Sequence, residues 1–298
     1  MSVRGLDRDR LPTLVSVTVP VLDAEDYVGE QMAALCAQTY RGAWEVVVVD
    51  NGCTDRSIDI VRSFASRLPS LRVVESSTRR NLNHARNAGA AAARGDLLCF
   101  CDADDVATPG WLEALVAAAG GADIVGGPLD EESLNSGRTL AWHAPSRLTN
   151  LPLAYRFLPY APGGNCAVWT DVARRLRWDE DFSFGNADVE FCWRAQLDGY
   201  TLAFAADAVV QRRFQAGAYA TARRYFDYGK PGPLLYRRFR AVGMPRSSQR
   251  EAFSAWVWLV RRAPRAVLSW QFRGGWLRRA GMRSGRLVGS IRHRVLFL

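Results

Sequence analysis

Short apolar runs rich in β-branched residues recur along the first half of the chain, and their alternation with helical segments constrains the fold more than any other feature. The runs at 14–21 (LVSVTVPV) and 45–50 (EVVVVD) are almost continuously apolar, as is typical of strands buried on both faces. The segment between them carries Val28, Met32 and Leu35 at helical spacing. Alternating strands and helices predict βαβ units and a mainly parallel sheet flanked by helices. Further strands are predicted at residues 71–75, 97–101 and 123–127.

Acidic residues follow two of these strands. Asp50 ends the second strand, and Asp102 and Asp104 directly follow the fourth. Ligands of such sheets bind beyond the carboxyl ends of the strands, so we expect these side chains to converge at one edge. Two carboxylates at this spacing can bind Mg²⁺ or Mn²⁺ with a diphosphate, or they can form a solvated loop that caps the next helix. Of the three Asp-x-Asp sequences, only Asp102/Asp104 follows a buried strand; the others are Asp7/Asp9 and Asp179/Asp181.

Three polar residues suit a site that binds a nucleotide, although each also has a structural interpretation. Asp50 can accept a hydrogen bond from the N–H of a base such as uracil, or it can form a turn. Arg86 can pair with a phosphate, or it can remain solvated on its Ala-rich helix. Asp188, which follows a Gly-Asn turn, can act as a general base on a hydroxyl, or it can stabilise a helix start.

Charge divides the chain into two regions. Residues 1–211 carry 19 basic and 28 acidic side chains, whereas residues 212–298 carry 20 basic and 2 acidic ones. The acidic body disfavours a uniformly basic nucleic-acid coat, and we expect no nucleic-acid partner. We predict a folded body over 1–211 and a basic, aromatic-rich helical region over 212–298. Within the body, we predict loops at 128–165, a helix at 181–197 and a strand at 202–211.

Membrane and export signals are weak in this sequence. No apolar run approaches the roughly 18 residues that span a bilayer, and charges interrupt the N-terminal segment where a signal peptide needs an apolar stretch. None of the six cysteines forms a Cys-x-x-Cys pair. This pattern favours cysteines that serve as small core residues. It also favours a protein of a reducing compartment. We therefore expect a cytoplasmic protein.

Taken in order, four stretches resemble the inverting glycosyltransferases of family 2, which have the GT-A fold. The resemblance covers roughly residues 14–211. The stretches are VSVTVPVLDAEDYV, VVVVDNGCTDRS, NHARNAGAAAARGDLLCFCDADD and WDEDFSFGNADVEFCWR. The resemblance implies a Rossmann-like, mainly parallel mixed sheet flanked by helices. It also implies a nucleotide-diphosphate sugar donor, with UDP, GDP or dTDP as the nucleotide.

The resemblance assigns the donor side of the site by position. The backbone at Pro20, Val21 and Leu22, together with Asp50, is implied to hold the base and ribose. Arg86 is implied to face the diphosphate. The resemblance also implies that an acceptor hydroxyl attacks the anomeric carbon in one displacement, which inverts the stereochemistry.

The same resemblance assigns the catalytic side. Asp104, assisted by Asp102, is implied to hold a divalent metal ion (Mg²⁺ or Mn²⁺), and Asp188 is implied to be the general base. The sugar and acceptor pocket is implied to include Asn165, Trp193 and Arg194.

Two departures from the family pattern affect these expectations. Many relatives have a His after the late strand, where this chain has Gln211, a poorer metal ligand, followed by Arg212, which can contact the diphosphate instead. The Asp-x-Asp sequence alone therefore does not establish metal dependence. The Gln-x-x-Arg-Trp signature of processive synthases is absent, so we expect transfer of one sugar at a time.

The basic region leaves several partners open. Phe253, Trp256, Val257 and Val260 fit one face of a helix. Such a basic amphipathic helix suits an anionic membrane surface, for example the inner membrane face, but its apolar stripe can equally pack on the catalytic domain or across a homodimer. A second stripe comprises Leu287, Val288, Ile291, Val295 and Leu298.

Other classes of function fit the sequence less well. A sugar-nucleotide pyrophosphorylase or a dinucleotide dehydrogenase needs a Gly-rich loop after the first strand, where this chain has Pro20, Val21 and Leu22. A non-catalytic nucleotide-sugar-binding or scaffold protein remains an alternative, although the presence of Asp104 and Asp188 favours an enzyme.

Overall fold

A seven-stranded sheet forms the centre of the molecule, and the computed structural model describes residues 11–143, 148–182 and 185–298. Asp7, Asp9 and the N-terminal segment lie outside the described residues. The strands are β1 (Val15–Val21), β2 (Trp44–Asp50), β3 (Leu71–Glu75), β4 (Leu97–Cys101), β5 (Val106–Ala107), β6 (Ile124–Gly126), β7 (Leu129–Asp130), β8 (Leu153–Ala154), β9 (Leu158–Pro159), β10 (Asn165–Trp169), β11 (Leu202–Phe204) and β12 (Val210–Gln211).

Helices flank this sheet and form the C-terminal region. They are α1 (Val28–Cys36), α2 (Ser57–Arg62), α3 (Leu82–Ala92), α4 (Trp111–Ala119), α5 (Gly137–His143), α6 (Thr170–Leu176), α7 (Ala187–Leu197), α8 (Ala218–Gly229), α9 (Gly232–Phe239), α10 (Gln249–Leu268) and α11 (Trp270–His293).

The strand order in the main sheet is β11-β6-β10-β4-β1-β2-β3. All neighbours run parallel except β10, which lies antiparallel between β4 and β6. The predicted mainly parallel mixed sheet is therefore confirmed. Strand β10 was not predicted, because its five residues lie at the end of a segment rich in proline and glycine.

The pairing register brings the predicted polar residues to one edge. Val21 at the end of β1 pairs with Asp50 at the end of β2, and Asn165 at the start of antiparallel β10 pairs with Cys101 at the end of β4. Asp102 follows Cys101 directly. The carboxyl ends of the parallel strands thus meet the start of β10.

The core follows the apolar strands. All seven residues of β1 and all five of β4 are buried. Cys99 and Cys101 are buried there, and burial raises the pKa of both thiols. All six cysteines are free; Cys36 and Cys53 are half-buried, and the other four are buried.

Three boundaries differ from the sequence predictions. The helix predicted from residue 181 begins at Ala187, because Gly185 and Asn186 adopt positive φ angles of 74° and 56° and turn the chain. The strand predicted at 202–211 is divided into β11, at the edge of the main sheet, and β12, which pairs with β5 and β7. The predicted loop at 128–165 contains α5 and the two-stranded sheet β8–β9.

The C-terminal helices pack through small residues rather than through the predicted apolar stripes. Phe253 and Val260 on α10 are 71% and 73% exposed, and Ile291 on α11 is 71% exposed. Instead, Gly281 and Gly285 of α11 lie against the backbone of α8, and Gly289 lies against Lys230, the residue that follows α8. Within the described residues, no helix combines the length and the apolar composition needed to cross a membrane.

Candidate functional site

An open cavity of about 650 Å³ lies at the carboxyl edge of the sheet and holds most of the predicted site residues. Its walls come from the loops after β1, β2 and β4, from the turn before β10, from the start of α7 and from α8. The predicted residues that line it are Pro20, Leu22, Arg86, Asp102, Asp104, Asp188 and Arg212.

The Asp-x-Asp sequence forms the acidic side of this cavity. Burial raises the pKa of Asp104, and the charge of the Asp102 carboxylate adds to the rise. The positive charges of Arg224 and Arg212 oppose it. Asp105, the next residue, is buried and accepts a hydrogen bond from the Arg213 amide at 2.9 Å. Burial and the two neighbouring carboxylates raise its pKa well above the usual range.

The donor set of Asp102 and Asp104 fits a divalent cation. Carboxylate oxygens are the ligands that Mg²⁺ and Mn²⁺ prefer. Besides burial, the negative charge of Asp102 also raises the pKa of Asp104, and a bound cation would relieve this repulsion between the two carboxylates. By their type and placement, these two residues could therefore hold Mg²⁺ or Mn²⁺.

Arg86 provides a positive charge beside this acidic side. It lies on α3, is only 4% exposed, and places Nη2 3.4 Å from Asp102 Oδ1. Its guanidinium stacks over the Trp178 ring at 4.7 Å, which limits its rotamers. Its buried Nε finds no hydrogen-bond partner among the described residues. Arg86 therefore has donor capacity for an anionic ligand.

The turn Gly163-Gly164 connects the acidic side with the predicted base. The Gly163 amide donates a hydrogen bond to Asp188 Oδ2 at 3.1 Å. A Cβ at Gly163 would lie 3.0 Å from the Arg86 guanidinium, and one at Gly164 would collide with the Asp102 carboxylate. Only glycine allows both charged groups to approach this turn so closely.

Asp188 lies half-buried in the first turn of α7. Besides the Gly163 amide, the Val189 amide donates to its Oδ1 at 2.9 Å. Burial raises the pKa of Asp188, whereas the Gly163 hydrogen bond and the charge of Arg86 oppose the rise. A partly desolvated carboxylate with a raised pKa suits a general base near neutral pH.

Helix α8 contributes a basic wall that sequence analysis did not assign to the site. Its residues in the cavity include Tyr219, Arg223, Arg224 and Tyr228. Arg212, just before this helix, donates a hydrogen bond to the Tyr228 hydroxyl at 2.8 Å. The four-residue spacing of these polar side chains on one helical face is the signal that could have found them.

The guanidinium groups of this wall are charged. Burial lowers the pKa of Arg212, but its interaction with the Tyr228 hydroxyl and the charges of Asp105 and Glu131 outweigh burial and raise it overall. Arg224 stacks on the Phe214 ring at 5.3 Å, and its buried Nη1 finds no hydrogen-bond partner among the described residues. The cavity therefore places carboxylates and guanidinium groups side by side.

Two donor-side candidates are not among the described residues that line the cavity. Val21 is buried in the core. Asp50 accepts hydrogen bonds from the Gly52 and Cys53 amides at 3.0 and 2.8 Å, and so forms the turn after β2. Asn51, the next residue, lines the cavity instead.

Four other candidates also lie away from the described lining. Asn165 is fully buried and accepts a hydrogen bond from Trp111 Nε1 at 2.8 Å. Trp193 packs edge-on against Phe157 and Phe239 in the core. Arg194 pairs with Glu190 at 3.0 Å, and Gln211 belongs to β12. The contacts of Asn165, Trp193 and Arg194 stabilise the elements around the cavity.

Comparison with known proteins gives one family and several relatives. The model of the family described as "Glycosyl transferase family 2" matches residues 16–177, more than half of the chain. Glycosyltransferase AglE of Haloferax volcanii is 29% identical over 259 residues, which cover 83% of this chain and 80% of AglE. The uncharacterized glycosyltransferase EpsJ of Bacillus subtilis is 35% identical over 194 residues, which cover 58% of this chain and 53% of EpsJ.

Solved structures share the fold at low sequence identity. The mannosyltransferase PcManGT from Pyrobaculum calidifontis, in complex with GDP-Man and Mn²⁺, has a TM-score of 0.62 and 20% identity over 97% of this chain and 89% of its own. TarS 1–349 of S. aureus in complex with UDP-GlcNAc has a TM-score of 0.53 and 16% identity, covering 95% of this chain and 93% of its own. These likenesses agree with the predicted GT-A fold.

Proposed function

The chain belongs to glycosyl transferase family 2, and we propose that it moves one sugar from a nucleotide-diphosphate sugar to an acceptor hydroxyl with inversion at the anomeric carbon. The observation that carries the proposal is the convergence of Asp102, Arg86 and Asp188 on the turn Gly163-Gly164. An anion-binding group, a carboxylate pair and a candidate base thus face one cavity. The nucleotide sugars in the titles of the related structures, GDP-Man and UDP-GlcNAc, support a donor of this class.

The positively charged side chains stabilise the leaving group. As the bond to the sugar breaks, negative charge grows on the nucleoside diphosphate, and Arg86, Arg212 and Arg224 line the cavity that receives it. A divalent cation held by Asp102 and Asp104 would neutralise part of the same charge when bound.

Asp188 acts on the acceptor side. Its carboxylate removes the proton from the acceptor hydroxyl while the oxygen attacks the anomeric carbon. The carbon–oxygen bond to the diphosphate breaks in the same displacement, and the electron pair leaves with the diphosphate. The configuration inverts because one displacement occurs.

A donor screen tests this proposal. Purified protein is incubated with UDP-, GDP- and dTDP-sugars with Mn²⁺ or Mg²⁺, and melting temperature and slow donor hydrolysis are measured. We expect one nucleotide class to raise the melting temperature and to be hydrolysed slowly by water in the acceptor's place. If no nucleotide sugar stabilises the protein, the proposal is wrong. If donors bind without turnover, the chain is instead a nucleotide-sugar-binding protein.

A further inference from the structure

Helix α10 carries two apolar stripes, and they differ in exposure. Ala252, Leu259 and Ala266 recur every seven residues and are buried where α10 packs against α11. Trp276 of α11 donates its indole N–H to the Leu259 carbonyl at 2.9 Å on this side. The inner side of the helix is therefore accounted for by contacts within the chain.

The second stripe faces away from these contacts. Phe253, Val260 and Val267 also recur every seven residues and are 71%, 73% and 71% exposed. Leu268 extends the stripe at the end of the helix and is 87% exposed. We call these four residues the outer face of α10. Single exposed apolar residues are common, but an aligned row along about 22 Å of helix marks an interaction surface.

Positive charges flank the outer face. Arg250, Arg261, Arg262 and Arg265 lie on the same helix and are exposed. Glu251 is the only acidic residue from 249 to 298. The occupant of this surface must therefore offer apolar groups beside many negative charges.

We propose that the outer face of α10 docks on the surface of a lipid bilayer that contains anionic phospholipids. Such a surface supplies acyl chains for Phe253 and Val260 and phosphates for the flanking arginines. A second copy of this chain suits the face less well, because two outer faces in contact would bring two arginine-rich surfaces together.

The docked helix would also orient the active cavity. Helix α10 packs on α11, and α11 packs closely on α8, which lines the cavity. Membrane docking would thus hold the cavity at a set distance from the lipid surface. The proposal goes beyond glycosyl transfer and is tested without it.

Vesicle co-sedimentation tests the proposal with the full-length chain. We expect binding to vesicles of phosphatidylcholine mixed with phosphatidylglycerol, and weaker binding to phosphatidylcholine alone or at high salt. The variant F253Q/V260Q should bind the anionic vesicles at least about tenfold more weakly, because it lacks two apolar groups that would be buried in the bilayer. In the variant R261Q/R262Q, each removed charge should lower the affinity for anionic vesicles about fivefold. The binding of this variant should also depend less on the salt concentration.

A matched control changes two exposed apolar residues outside the face. The variant L11Q/L153Q removes comparable groups, which are 72% and 60% exposed, and should bind like the wild type. All variants should keep the wild-type melting temperature, because the altered side chains are exposed. The proposal is overturned if the wild type does not bind anionic vesicles, or if F253Q/V260Q binds these vesicles as strongly as the wild type does. It is also overturned if light scattering shows a dimer that this variant dissociates.

Discussion

Asp188 receives two backbone hydrogen bonds, which orient its carboxylate in the cavity. An amide in its place keeps the size of the side chain but cannot take a proton from the acceptor. We expect Asp188→Asn to lower donor turnover by about 10²- to 10⁴-fold. Stabilisation by the donor should remain, which the melting temperature with nucleotide sugar checks. Unchanged turnover of this variant would show that Asp188 is not the general base.

The pH dependence of turnover follows from the same residue. Burial raises the pKa of Asp188 above the usual range of an aspartate, so the base is lost as pH falls through this raised value. We expect the acidic limb of the rate profile to lie at higher pH than for an exposed aspartate. The carboxylates of Asp104 and Asp105 also have raised pKa values, so donor binding must be measured across the same pH range. If the acidic limb of the rate profile coincides with the pH dependence of donor binding, the assignment to Asp188 is contradicted.

Gly164 tests whether the Asp102 carboxylate holds a cation. A methyl group there would collide with the Asp102 side chain, and this side chain must rotate because it is the group in contact. We expect Gly164→Ala to raise the Mn²⁺ concentration for half-maximal thermal stabilisation about tenfold. The matched control is Gly121→Ala, because no atom lies within 4 Å of a Cβ at that glycine. Equal responses to Mn²⁺ in both variants would argue against a cation at Asp102.

At the scale of elements, the contact between α8 and α11 supports the basic wall of the cavity. A Cβ at Gly285 would collide with the Phe226 carbonyl, and one at Gly229 with the Met282 carbonyl. Such close contact requires glycine, and it places the backbones of the two helices against each other. Rigid placement of Arg224 and Tyr228 in the cavity follows from this contact.

A pair of alanine variants measures the contribution of this contact. Both Gly285→Ala and Gly275→Ala improve the helix propensity of α11 by about 1 kcal/mol. Only the first meets backbone atoms, since no atom lies within 4 Å of a Cβ at Gly275. We expect Gly285→Ala to be about 1–3 kcal/mol less stable than Gly275→Ala in urea unfolding. Equal stabilities would mean that the helices separate without cost.

The elements also show which parts of the site could be predicted. Asp102 and Asp104 were found because a buried strand ends just before them, and strand ends converge in parallel sheets. Arg224 could not be found this way, because its position depends on contacts between helices about sixty residues apart. Apolar periodicity on α11 indicated a stripe that includes Leu287 and Ile291, but it could not show that the helix packs on α8 through its glycines.

At the scale of the whole molecule, the predicted boundary at residue 211 crosses the cavity. Arg212 lines it immediately after this boundary, and Tyr219 and Arg224 line it from α8. The C-terminus also returns to the body, because Phe297 packs against Tyr155 at 5.6 Å. The basic region therefore completes the site physically, although charge separates it from the body in the sequence.

This arrangement predicts that the body does not work alone. A fragment of residues 1–211 lacks the basic wall, so we expect no thermal stabilisation by a nucleotide sugar that stabilises the full chain. As a control for the break itself, the full-length chain is cleaved by a protease at an engineered site in the exposed turn around Gly243. The nicked protein should still bind the donor, because the contacts of α8 with α11 and of Phe297 with Tyr155 hold its two pieces together. Donor binding by the 1–211 fragment at the affinity of the full chain would show that the basic region is dispensable.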